Sequence, residues 1–377
     1  SSFFLPLPHH CDAAERIMAL IRSGYVRRNS FLAQHWEELA KTKSAFFRKE
    51  ALMQPSACGL GIIGMSGVGK TTLLNQVLSC IPQVILHRKY SPAEDQPERP
   101  YERIQVTYIR IECPREGNTN ELLAKFFDQV DAMLGTNHVA NYMRRRPDRK
   151  NGAELMNIER PIAGIRNVAQ EIQLGVLVVD EIQNLNQASA GGREKLLNLF
   201  VELENTIGIP IILVGTFASQ YLFKNQARQV RRLQGMGDIV WDRYLFHRGT
   251  HVPGTPADRE NAQWHLLTRK LFHFQYTNPP TPWTEELSAT MHDCTQGITD
   301  YLIKLFQLVQ RDVIGTDDEK ITSAKLRQTM HSRFVAAREP LAALRSGSAK
   351  ALERYEDFRA NGSLLAAEPP ATNRNHA

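Results

Sequence analysis

Cysteine is scarce in this chain and never paired. Cys11, Cys58, Cys80, Cys113 and Cys294 are five in number, widely scattered and without a C-x-x-C spacing, which excludes a cysteine-based zinc site and a disulfide scaffold. Long apolar runs are lacking, so no membrane span or membrane partner is expected. Phe3-Phe4-Leu5 is too short, and has no basic leader, to read as a secretion signal. No internal repeat is visible, which sets aside solenoid and propeller architectures and signalling ATPases built on repeats. Charge of one sign is not dominant either. Lysine and arginine total 46 against 40 acidic residues, a net charge of +6, so nucleic-acid contact has to come from local clusters rather than bulk charge. What remains is an ordinary globular composition, 42% hydrophobic and 23% charged over 377 residues. That is enough for one large core and a smaller helical unit.

Against that background one string carries chemistry. Gly64-Met65-Ser66-Gly67-Val68-Gly69-Lys70-Thr71 is a complete G-x-x-x-x-G-K-T phosphate loop. The strand-like run Leu60-Gly61-Ile62-Ile63 precedes it, and Thr72-Leu73-Leu74 opens a helix behind it. The glycines let successive backbone N–H groups curl around phosphate oxygens, and the helix N-terminus adds a favourable dipole. In that reading Lys70 reaches the β and γ phosphates of ATP while the Thr71 hydroxyl ligates Mg²⁺.

Downstream, the apolar run Gly175-Val176-Leu177-Val178-Val179 reads as a strand buried on both faces and ends on Asp180-Glu181. Carboxylates at the carboxyl end of such a strand lie where α/β sheets place ligands. Asp180 is expected to hold Mg²⁺, and Glu181 to polarise the attacking water. A third apolar strand, Ile209–Gly215, ends on Thr216. This residue is either a sensor of the γ-phosphate or an ordinary helix N-cap. An extra strand between the two motif-bearing strands is the order of AAA+ ATPases, so the expected fold is α/β, a parallel sheet flanked by helices with a small helical lid. Arg228, Arg231 and Arg232 follow at helical spacing. They form either a solvated face or the place from which an arginine finger is presented to a neighbouring subunit.

Several strings resemble the TnsC/TniB ATPases, AAA+ target-site regulators of cut-and-paste DNA transposons related to the phage protein MuB. They are Ile85-Leu86-His87, Gln105–Pro114, Leu177–Leu185, Leu213–Thr216 and Thr295–Phe306. The similarity covers roughly residues 15 to 330. It implies an ATPase that oligomerises on duplex DNA as a ring or helical filament, links a target selector or CRISPR-guided complex to transposase subunits, and works in a bacterial cytoplasm. A helicase loader or other DNA-remodelling ATPase stays open as an alternative, as does a scaffold in which bound ATP cements an oligomer. Glu181 and Thr216 speak against the scaffold, which needs no water-activating carboxylate.

The resemblance also makes Tyr25, Val26 and Arg27 candidates for contacts near the adenine. Locally the same residues read equally as a helix end with Gly24 as its C-cap. The lid departs from the common AAA+ pattern. Where many lids carry an arginine shortly after a glycine such as Gly297, this chain has Asp300; either Lys304, the nearest basic residue, substitutes in the nucleotide contact, or that contact from the lid is weak.

The coarse organisation is an N-terminal helical arm over 1–55, with two helices and a turn at Gly24, then an ATPase core over 56–250. A helical lid follows over 251–337, entered at Pro253 and Pro256, with helices near 284–294, 298–313 and 322–336. Trp264, Leu266, Leu267, Leu271 and Phe272 recur at helical spacing as lid core. Residues 338–377 read as a helical extension and a polar tail too poor in apolar residues to pack alone. The candidate DNA surface is Arg115 together with Arg144, Arg145, Arg146, Arg149 and Lys150, with Lys89 and Arg99 as weaker members. Guanidinium groups there suit backbone phosphates without base readout. A solvated loop or a protein-docking patch accounts for the same charges.

Overall fold

The computed structural model describes residues 3–27, 59–90, 99–143, 146–147, 154–155, 159–188, 190–219, 237–249, 252–352 and 354–355. The chain begins with α1 (Pro8–Arg27), then β1 (Leu60–Gly64), α2 (Lys70–Ser79), β2 (Val84–Tyr90), β3 (Arg99–Val106), β4 (Tyr108–Glu112), α3 (Thr119–Leu134) and α4 (His138–Tyr142). The short strands β5 (Arg146–Pro147) and β6 (Glu154–Leu155) precede α5 (Glu159–Glu171), β7 (Val176–Asp180), α6 (Ala190–Glu202), β8 (Ile211–Gly215) and β9 (Asp238–Trp241). The helical part comprises α7 (Pro256–Leu271), α8 (Glu285–Thr295), α9 (Thr299–Val313), α10 (Ser323–Arg333), α11 (Arg338–Ser346) and α12 (Ala349–Leu352).

Five strands form one parallel sheet in the order β4-β7-β8-β1-β9. Strands β1, β7 and β8 are buried at every position, as expected when helices cover both faces of a parallel sheet. β8 lies between β7 and β1, so the strand ending at Thr216 separates the two that carry the phosphate loop and the acidic pair. Each face has its own core. Val176, Val178, Ile212 and Val214 belong to one buried core with residues of α1, α2 and the lid helices, while Leu177, Val179, Ile211 and Leu213 belong to a second with α3, α5 and α6. The strand alternation thus assigns neighbouring residues to opposite layers.

The N-terminal segment differs from the expected arm. α1 runs through Gly24 to Arg27 without a turn. Ala13, Ile17, Leu20 and Ile21 form a buried stripe in the same core as β1 and α2. A mid-helix glycine costs about 1 kcal/mol, which burial of that stripe exceeds.

The lid helices start where their caps dictate. The hydroxyls of Thr255, Thr284 and Thr322 accept from the first-turn N–H groups of Asp258, Leu287 and Lys325. Trp264, Leu267, Leu271 and Phe272 are buried, whereas Leu266 is exposed, because only the i, i+3, i+7 stripe faces inward. Past Pro340, α11 packs through Leu341 and Leu344 onto the same core as the lid, a two-residue apolar contact at i, i+3.

Candidate nucleotide site

Because the strands run parallel, Gly64, Asp180, Gly215 and Trp241 all sit at the carboxyl end of the sheet. Gly69 is the N-cap of α2 with a φ of 103°, a conformation that favours glycine. Lys70 is buried and turned onto the loop, its Nζ donating to the carbonyls of Gly64 at 2.9 Å and Met65 at 2.7 Å.

The Thr71 hydroxyl donates to Asp180 Oδ2 at 3.0 Å, which brings together the two residues expected to hold a metal. Asp180 is 2% exposed, and its Oδ1 accepts the Glu181 N–H at 2.9 Å. A hydroxyl and a carboxylate form an oxygen donor set that fits Mg²⁺, which keeps several waters and takes only a few protein ligands.

Glu181 takes a left-handed φ of 55°, so its side chain leaves the strand line and does not follow Asp180 into the sheet. It accepts a hydrogen bond from Gln183 Nε2. Burial raises its pKa above the ordinary carboxylate value, with the Gln183 bond opposing the shift. A carboxylate so raised is a stronger proton acceptor from water. Gln183 Oε1 accepts the backbone N–H of Thr216 at 3.0 Å. Thr216 is 4% exposed, and among the described residues its buried hydroxyl has no hydrogen-bond partner. An orphaned buried hydroxyl costs stability, and here it lies beside the Glu181 network. Thr216 also accepts Ser219 N–H at 3.0 Å through its carbonyl, but its side chain caps nothing.

The lid reaches the phosphate loop directly. The Asp300 N–H, in the first turn of α9, donates to the Gly67 carbonyl at 2.9 Å. Lys304 is bound to Asp300 at 2.6 Å as an exposed i, i+4 pair, one turn beyond that contact. The lid is held by a second joint. Tyr244 N–H donates to Gly297 O at 3.0 Å, Arg243 Nη1 to Gln296 O at 2.9 Å, and His292 Nε2 to Tyr244 O at 3.0 Å. Gly297 has a φ of 75°, and a Cβ there would stand 1.8 Å from Tyr244 O, so only glycine fits the joint. Burial lowers the His292 pKa to about 4, leaving the imidazole neutral with Nε2–H as donor.

Tyr25 does not join this site. Its hydroxyl donates to Val106 O at 3.3 Å and Gln173 O at 3.1 Å, residues just before β4 and β7, at the amino end of the sheet and so opposite the phosphate loop. Its role is to anchor the end of α1, and Val26 and Arg27 close the same helix end. It is the beginning of α1 that lies near the loop: His9 and His10 pack on Trp241 at ring distances of 4.9 and 5.1 Å, and Trp241 pairs with Gly64.

Arg115 is exposed in the turn that follows β4, closed by Gly117 N–H to Pro114 O at 2.8 Å. Arg146 lies in β5, in register with Leu155. Lys89 and Arg99 stand on the β2–β3 hairpin, opposite Pro100 and Tyr90. Arg144, Arg145, Arg149, Lys150, Arg228, Arg231 and Arg232 lie outside the described residues.

Gln183 and Arg110 are the two site residues that motif reading passes over. Gln183 had a signal, an amide two residues beyond a catalytic-type glutamate. Arg110 had another, a basic residue inside the alternating strand Tyr108-Ile109-Arg110-Ile111. Ile109 and Ile111 face one core, which turns Arg110 to the face that carries α2 and Asp180.

Residues 57–219 match the AAA domain family. No curated protein matches the chain. Solved structures resemble it distantly. The Walker-type ATPase PABY2304 of Pyrococcus abyssi is 14% identical, with 81% of this chain and 74% of that one covered at a TM-score of 0.41. The ORC2 protein of Aeropyrum pernix, solved as ADPNP and ADP complexes, is 12% identical at a TM-score of 0.43, with 73% of this chain covering 62% of that one. Drosophila ORC bound to DNA is 12% identical at a TM-score of 0.42, with 91% and 72% covered. Among the described residues no helix is long and apolar enough to cross a membrane. The family match, the strand order and the phosphate loop agree: residues 57–219 resemble the AAA domain family and carry an AAA+ P-loop fold.

Proposed function

We propose that this protein is an ATP-dependent, DNA-binding regulator of transposition of the TnsC/TniB kind. It binds ATP with Mg²⁺, assembles with further copies on target duplex DNA, passes that site to transposase subunits, and hydrolyses ATP to disassemble. One observation carries the reading. The string Thr295–Phe306, among the most family-like stretches of the sequence, is also the one whose Asp300 N–H and Gly67 carbonyl join lid to phosphate loop. Nucleotide occupancy is thereby coupled to the position of a whole helical layer, which is what an assembly switch requires.

In this mechanism the loop N–H groups and Lys70 hold the β and γ phosphates. Thr71 and Asp180 hold Mg²⁺, which supplies charge neutralisation when bound. Glu181, oriented by Gln183, takes a proton from water that the Thr216 hydroxyl helps to position. An arginine of the 228–232 cluster from a neighbouring subunit completes the charge on the γ-phosphate. Arg115 together with Arg144, Arg145, Arg146, Arg149 and Lys150 contacts the DNA backbone without reading bases.

The experiment is electron microscopy of the protein with a non-hydrolysable ATP analogue, with and without duplex DNA. DNA-encircling rings or filaments that require the analogue support the proposal. Assembly only in the presence of a replicative helicase would replace it with the loader reading.

A further inference from the structure

We propose that Arg110 is a built-in cation that holds Asp180 and competes with the divalent metal for it, so that it sets the metal concentration at which this site takes nucleotide. The inference rests on the assignment of Thr71 and Asp180 as the metal pair.

The geometry is specific. Arg110 Nη2 donates to Asp180 Oδ2 at 2.7 Å, and Nη1 donates to Asn75 Oδ1 at 2.5 Å. Asn75 lies on α2, the helix that opens with Lys70 and Thr71. One guanidinium therefore spans from the phosphate-loop helix to the acidic strand. Its Asp180 partner is the same oxygen that accepts the Thr71 hydroxyl at 3.0 Å. The Asp180 side chain is 3% exposed and that of Arg110 28%. A buried carboxylate needs a compensating cation, and Arg110 supplies one that belongs to the chain.

A metal drawing on Oδ2 would share a single oxygen with the guanidinium. Two cations on one oxygen of a carboxylate that is itself buried repel each other, so metal binding requires Arg110 to give up Oδ2. Asn75 offers it a remaining partner, and its partial exposure offers water. The apparent affinity for metal is then reduced by the fraction of molecules in which Arg110 has let go. Arginine suits this task better than lysine, because its planar fork holds two acceptors at once.

The test is a titration of fluorescent, non-hydrolysable ATP analogue binding against Mg²⁺, with Mn²⁺ binding followed by electron paramagnetic resonance as a readout independent of turnover. Parent, Arg110→Gln, Arg110→Lys and Asp180→Asn are compared. Arg110→Gln should lower the half-saturating metal concentration by about tenfold, and Arg110→Lys by less. Without metal and nucleotide, Arg110→Gln should melt below the parent, with the gap narrowing once metal and analogue are added. If Arg110→Gln is too unstable to assay, Arg110→Lys still must shift the metal titration downward. An unchanged or raised metal requirement in a folded Arg110 variant overturns the proposal, provided Asp180→Asn raises it. A metal requirement that Asp180→Asn leaves unchanged would overturn the metal-pair assignment itself.

Discussion

Glu181 and Thr216 are joined through one side chain: Gln183 donates to the Glu181 carboxylate with its Nε2 and accepts the Thr216 N–H at 3.0 Å with its Oε1. The ends of two neighbouring strands, β7 and β8, are thus fixed relative to each other by an amide. Gln183→Leu removes both bonds at similar volume. ATP binding should persist while turnover falls roughly tenfold, a typical loss when a base is no longer oriented. Since the Gln183 bond opposes the raised Glu181 pKa, its loss should also move the acid limb of the pH–rate profile to higher pH. A profile that stays in place would show that Gln183 does not act on Glu181.

In the proposed mechanism the phosphate loop and the acidic pair act at different steps. Lys70→Ala should abolish nucleotide binding at concentrations that saturate the parent. Glu181→Gln should bind ATP normally and lose on the order of 10² to 10⁴ in turnover, because an amide cannot accept the proton of water. Equilibrium binding and steady-state hydrolysis separate the two. Parent-level turnover in Glu181→Gln would remove it from the role of base.

Thr216 offers a test in which stability and activity part company. Among the described residues its hydroxyl has no partner, so Thr216→Val should leave the denaturation midpoint unchanged or raise stability by up to about 1 kcal/mol. Hydrolysis should fall by about tenfold or more with nucleotide affinity kept. A marked loss of stability would mean that the hydroxyl serves the fold.

The lid joint is pH-sensitive through His292. Its folded pKa of about 4 lies below the ordinary 6.5, so the unfolded chain binds the proton more readily. The stability this neutral histidine contributes is present in full above pH 6.5 and is lost as the pH falls toward 4. The loss approaches about 3 kcal/mol. His10, also lowered to about 4, acts in the same window. Urea midpoints at pH 7 and pH 5 should differ for the parent. They should differ less for His292→Gln, whose amide keeps a donor for Tyr244 O. Equal pH dependence in the two proteins would rule out His292 as a contributor.

The parts of this protein read most directly from sequence are those in which chemistry demands consecutive residues. The phosphate loop needs Gly64, Gly67, Gly69 and Lys70 at fixed spacing within eight residues, and the acidic pair needs an apolar strand before it, so both were visible as strings. The helical starts at Thr284 and Thr322 were visible because a cap is a local event. For Tyr25, Val26 and Arg27 two readings stood side by side, contacts near the adenine and a helix end capped at Gly24, because the same local string suits both. The burial of Ile17, Leu20 and Ile21 decided between them, and that depends on residues distant in sequence. Arg110 and Gln183 were passed over for a related reason: each gains its role from a partner on another element, Asn75 on α2 or Thr216 at the end of β8, that no spacing rule links to it. β9 was missed because Asp238–Trp241 is a four-residue edge strand with only Ile239 and Trp241 turned inward.

The central claim is that ATP licenses assembly on DNA, and the affinity for duplex DNA with and without a non-hydrolysable ATP analogue, in parent and Lys70→Ala, measures it most directly. The parent should bind duplexes of unrelated sequence at least tenfold more tightly with the analogue, and Lys70→Ala should show no such gain. Equal DNA affinity with and without the analogue in the parent, or an undiminished gain in Lys70→Ala, would contradict the account.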